Sequence, residues 1–124
     1  MNRILLLLAN FIAFTQVVKG QSMDELCKKW NLNGYIYLGV SMLPDENEKH
    51  DFIHFKNDNS FTSIDEKKFE RGTWKWDMVA QKIYLFNESS TKPLSLKLIE
   101  LSKDLMIIML EDEDDTIKVV FKAE

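Results

Sequence analysis

The sequence is short of the residues that staple, break or activate a chain. Its 124 residues include one cysteine, two histidines, two prolines and four glycines. A single cysteine excludes an intrachain disulfide framework, and with so few imidazoles a closed zinc site made of protein ligands is excluded as well. His50 and His54 lie four residues apart in an extended stretch, where ~3.3 Å per residue holds their Cα atoms ~13 Å from each other, too far to share an ion. The glycine-rich phosphate loops, the serine-hydrolase elbow and the paired-histidine metalloprotease signature are all missing. The chain therefore reads as a non-enzyme with no catalytic residues, no metal and no cofactor. Basic residues are in the minority, 16 against 20 acidic ones. Without Arg3 and Lys19, which fall in the segment treated next, the net charge becomes −6. Such a balance repels nucleic acid and anionic lipid alike.

Long apolar runs are confined to the first twenty residues. Arg3 is followed by Ile4 to Ala9, then Phe11 to Phe14, and the stretch ends at Val18-Lys19-Gly20 with small residues at the −3 and −1 positions of a cleavable bond. This is the composition of a secretory signal peptide, too short and too often interrupted, by Asn10, Thr15 and Gln16, to span a bilayer. The expected organisation is a cleaved signal at 1–20 and one domain at 21–124, with an exported product, periplasmic or secreted. Asp24-Glu25-Leu26 before Cys27 is foreign to a lipoprotein cleavage site and argues against a lipid anchor there.

The remainder is patterned. Ser22 with Glu25 three residues on forms a capping box, and Met23, Leu26, Cys27 and Trp30 follow at helical spacing, which predicts a short N-terminal helix with Cys27 on its apolar side. Beyond Trp30 the period changes to two, with turn chemistry every 8 to 14 residues, as in an all-β meander. Eight strands are predicted, at 31–40, 51–56, 61–64, 69–76, 82–86, 94–101, 105–110 and 116–122. In the first, Leu32, Gly34 and Ile36 share one face and Tyr35 and Tyr37 the other. In the fourth, Gly72, Trp74 and Trp76 oppose Arg71, Thr73 and Lys75, and Gly72 marks a close backbone approach. The acidic run at 111–115 is a solvated turn rather than a calcium loop, lacking the glycine and the ligand spacing of one. Sequential strands with short connections bury one face each by curling into an up-and-down barrel, which also removes free edges.

Three stretches, Phe55-Lys56-Asn57-Asp58-Asn59-Ser60-Phe61, Gly72-Thr73-Trp74-Lys75-Trp76 and Leu101-Ser102-Lys103-Asp104-Leu105, together with this element order, resemble the lipocalin-like domains of small exported bacterial proteins of Bacteroidetes type. The resemblance covers residues 30 to 121 and implies an all-β, eight-stranded lipocalin-like barrel after a short helix. Asn59 stands where such a turn usually has glycine, a place asparagine tolerates because it reaches positive φ.

A barrel of this size either fills with its own side chains or holds one small ligand. The carrier reading puts a small hydrophobic ligand against Phe55, Trp74, Trp76, Leu85, Leu98, Ile107 and Met109, with the 41–50 loop near the mouth. The strands at 82–86 and 105–110 are apolar on both faces, so one face of each needs outside cover. The alternative is accordingly a protein-interaction module, an inhibitor or assembly subunit of the envelope with a filled core. It would meet a partner or a second copy through Tyr84, Phe86, Met106, Ile108 and Leu110.

Overall fold

A computed structural model describes residues 24–110 and 117–124, so the expected signal peptide, Met23 and the 111–115 turn lie outside the described residues. Residues 24–26 make one helical turn. The strands are β1 (Lys29–Tyr37), β2 (Val40–Met42), β3 (Phe52–Phe55), β4 (Ser60–Asp65), β5 (Lys68–Asp77), β6 (Lys82–Asn87), β7 (Leu94–Leu101), β8 (Leu105–Leu110) and β9 (Ile117–Ala123), with a 3-10 turn at Glu46–Glu48. Every pairing is antiparallel. The sheet runs in sequence order from β3 to β9 and closes through β1, which pairs with β3 on one side and β9 on the other. Eight strands thus form the barrel. The short β2 folds back on the second half of β1, beyond the part that β3 covers.

Two expectations change here. The helix does not reach Trp30: it ends at Leu26, and Trp30 is a β1 residue paired with Ile53 and Ala123. Ladder pairing on both sides outweighs a helical spacing carried by only a few residues, for which helix nucleation is costly. The parity of the first strand is also not uniform. Between Leu32 and Gly34 the β1–β9 register shifts, with Asn33 the extra residue. Leu32 lies opposite Phe121 and Tyr35 opposite Val119, so the bulge turns Leu32 and Tyr35 to the same, inner face and sends Ile36 outward.

The turns follow the chemistry expected of hairpins. Leu38 and Gly39 have φ of 50° and 81°, and Glu66 and Lys67 have φ of 51° and 72°, pairs of positive φ that suit two-residue turns between twisted strands. Asn59 has φ 70°, and Asp58 fastens the same turn by accepting from Ser60 N at 2.9 Å and Ser60 Oγ at 2.6 Å.

The three tryptophans are gathered at one end of the barrel. Leu26, Trp30, Phe55, Ile83 and Met106 are fully buried there, with Trp74 and Trp76 beside them. The Phe55 and Trp74 rings meet edge to face at 5.2 Å. Trp30 Nε1 donates to Leu26 O and Trp74 Nε1 to Lys56 O, both at 3.0 Å, so the N-terminal segment and the β3–β4 turn close that end through the indoles. Cys27 is half-buried and packs against this cluster.

In β5 the alternation is strict from Arg71 to Trp76, with Gly72, Trp74 and Trp76 buried and Arg71, Thr73 and Lys75 exposed. A Cβ on Gly72 would come within 2.0 Å of Phe86 O, the close approach its sequence position suggested. We expect Trp74→Ala to cost ~3–5 kcal/mol, Gly72→Ala to be comparably harmful, and Lys75→Ala to stay within ~0.5 kcal/mol of the parent. Urea melts of the three variants check the order; equal midpoints for Trp74→Ala and Lys75→Ala would contradict it.

Candidate functional site

Toward the other end no tryptophan points inward, and the barrel is not filled. A cavity of about 510 Å³ opens there. Its wall is apolar, made chiefly by Leu32, Phe61, Leu85, Leu96, Ile108 and Phe121. An eight-stranded cross-section that three indoles and a phenyl ring fill is left open where the wall holds no tryptophan and leucine, isoleucine and valine alternate with Phe61 and Phe121. Strand register accounts for the membership of the wall. Leu96 faces Leu110 and Leu98 faces Ile108 across β7–β8, while Ile108 faces Val119 and Met106 faces Phe121 across β8–β9.

The sequence-assigned ligand residues separate into three groups. Leu85 lines the cavity. Phe55, Trp74 and Trp76 point into the barrel but belong to its filled end, below the cavity rather than around it. Leu98 is half-buried against the same core without lining the cavity. Ile107 and Met109 face outward: Met109 pairs with Lys97 and Ile107 with Glu100, whereas Met106 and Ile108 are buried. The same correction applies to the outer face proposed for a partner. Tyr84 and Phe86 are on it, opposite Lys75 and Thr73, but Met106, Ile108 and Leu110 face inward. β8 is apolar on both sides, so its own sequence holds no parity signal. The tight 102–104 turn held that signal by setting Met106 opposite Leu101, whereas Lys97 and Glu100 share the outer face only through a register shift between Leu98 and Glu100.

The mouth is polar and mainly acidic. Asp51, Asp65 and Glu70 line it with Tyr35, and the 87–93 loop adds Asn87, Ser90 and Lys92. The 41–50 loop reaches the same place, since Tyr35 Oη donates to Glu48 Oε2 at 2.5 Å. Burial first, and then this hydrogen bond and the surrounding carboxylates, raise the Tyr35 phenol above its ordinary range and keep it protonated. None of these residues carried a site signature in the sequence. Tyr35 was hidden by the bulge, and Asp51 stands at the end of a polar loop.

Asp51 is the one charged residue among the described residues that is buried, at 8% exposure. Its Oδ1 accepts from Glu66 N at 2.9 Å, which fastens the β4–β5 turn with its two positive φ values. Burial pushes the carboxyl up to about 6, helped by Asp65, Glu48 and Glu66, although the Glu66 amide opposes the shift. Nearby, carboxylate oxygens of Asp45, Glu48 and Glu66 come within 4.8 Å of one another. Asp45 and Glu48 are already engaged in the capping box of the 3-10 turn, and Glu48 in the bond from Tyr35.

A carboxyl whose folded value lies above its unfolded one favours folding most at low pH, and that contribution disappears as pH rises through the folded value. The wild type should therefore lose stability relative to Asp51→Asn between about pH 4 and pH 6. At pH 7 the variant, whose amide oxygen can still accept from Glu66 N, should be more stable by up to about 3 kcal/mol. Urea melts at pH 4 and pH 7 check this; a variant that is less stable at both would mean the carboxylate is held favourably.

Neither a protein-family model nor a curated protein matches the chain. Among solved structures, it is similar to a lipocalin-like protein from Bacteroides uniformis, with TM-score 0.59 and 20% identity over 81% of this chain and 99% of that one. It is also similar to a DUF4847 family protein from Bacteroides vulgatus, with TM-score 0.56 and 11% identity over 80% of this chain and 94% of that one. The fold is that of the lipocalin-like domains found in such Bacteroides proteins.

Proposed function

We propose that the protein is an exported, non-enzymatic carrier or sensor that holds a small apolar molecule in the open half of the barrel. The observation that carries the reading is the cavity of about 510 Å³, apolar in its depth and polar at its mouth, above an end sealed by aromatic side chains. A pocket of this kind buries most of a small ligand's surface, and each buried methylene contributes ~0.8 kcal/mol. The wall is preformed by paired strands, so binding orders little of the protein. Export fits the composition of the first twenty residues. The alternative, an interaction module with a filled core, has less support, because three of its five contact residues face inward and the core is not filled.

The neutral fluorophore N-phenylnaphthylamine should bind the purified protein saturably with a rise in emission. Val119→Trp, which adds an indole at a half-buried position on the cavity wall, should weaken that binding by ~10-fold or more, or ~1.4 kcal/mol, while the variant still melts cooperatively. Absence of saturable emission with the parent, or equal affinity in parent and variant, would remove the carrier reading.

A further inference from the structure

The depth of the cavity is neutral, so discrimination among apolar ligands falls to the mouth. There the strand register points Ser63, Asp65 and Glu70 to the same inner face as Phe61 and Gly72, and the β3 entry places Asp51 beside them. Among the described residues one cation, Lys92, lines the cavity against these three carboxyl groups. Glu70 is partly neutralised by Lys68 at 3.4 Å. Asp65 is exposed, and Asp51 is buried. The Glu66 amide occupies Asp51 Oδ1, and among the described residues no donor serves Oδ2.

From this arrangement, and resting on the carrier reading, we propose that the cavity selects amphiphiles with an apolar body and a protonated amine head, the ammonium docking on Asp51 with Asp65 behind it. A largely buried carboxylate with one acceptor open to the cavity mouth is short of a positive partner, and a cation supplied by the ligand interacts with it more strongly than the same pair would in bulk water. The ammonium also matches the acceptor-only chemistry of the carboxylate, offering donors that an anionic head lacks. Fatty acids and other anionic lipids meet a mouth of their own sign. The burial that raises the Asp51 carboxyl to about 6 still leaves it ionised at neutral pH, when an alkylamine is protonated.

Displacement of N-phenylnaphthylamine from the purified protein by decylamine, decanol and decanoate at neutral pH tests the preference with the apolar body held constant. Decylamine should displace the probe at concentrations ~10-fold below decanol, equivalent to ~1.4 kcal/mol, and decanoate should be the weakest. Asp51→Asn should remove most of the amine advantage over decanol, and Asp65→Asn, at an exposed position, should lessen it by a smaller factor. Equal displacement by amine and alcohol overturns the amine inference and leaves the cavity reading standing. So does a folded Asp51→Asn that keeps the amine preference, and if Asp51→Asn does not fold, an unaltered preference in Asp65→Asn does the same. If neither the probe nor decanol binds, both readings fall.

Discussion

Seven residue pairs along β1 and β9 join the first strand to the last, and the rest of the molecule depends on that seam. Closure leaves the eight barrel strands no long free edge, and it fixes how much interior the inward side chains have to fill. The seam contains the bulge at Asn33, which lets β1 present Trp30 and Leu32 to the interior in its first half and Tyr35 in its second. Without it Tyr35 would face solvent, and the link from the barrel wall to Glu48 in the 41–50 loop would be lost.

A fixed cross-section makes the distribution of side-chain size along the barrel axis decisive. Tryptophans 30, 74 and 76 with Phe55 seal one end, and two of the indoles are fastened to backbone carbonyls of the segments that cross it. The half without tryptophan leaves space. An empty apolar cavity and a buried carboxyl both work against stability, so the well-packed end and the paired strands must offset what the open end costs. Two unfavourable features in one place support the carrier role proposed above.

Much of the architecture was legible in the chain. The spans from β3 to β9 lie within about two residues of their periodicity-based bounds, because each strand is short, amphipathic or bounded by polar turns. Gly72 and Asn59 behave as their neighbours implied, through close approach and positive φ respectively. The candidate site was legible only in part, for identifiable reasons. Inward parity follows from β5, where glycine and tryptophans alternate with polar and charged residues, but it fails for β8, where both faces are apolar and the neighbouring β7 carries a register shift between Leu98 and Glu100. A bulge adds a residue without any sequence sign, so Leu32 and Tyr35, set on opposite faces by strict alternation, share one face in the structure. Above all, alternation reports whether a side chain points inward and not its height along the barrel. That is why Trp74 and Trp76, correctly placed inside, belong to the sealed end rather than to the cavity wall.

The central claim is a barrel sealed at one end and hollow at the other. A crystal structure determined under xenon pressure tests it most directly, since xenon enters dry apolar cavities of this kind. The account predicts xenon density between Leu85, Leu96 and Ile108 and none between Trp30, Phe55 and Trp74. A collapsed upper half, with those aliphatic side chains in mutual contact and no xenon among them, would contradict it.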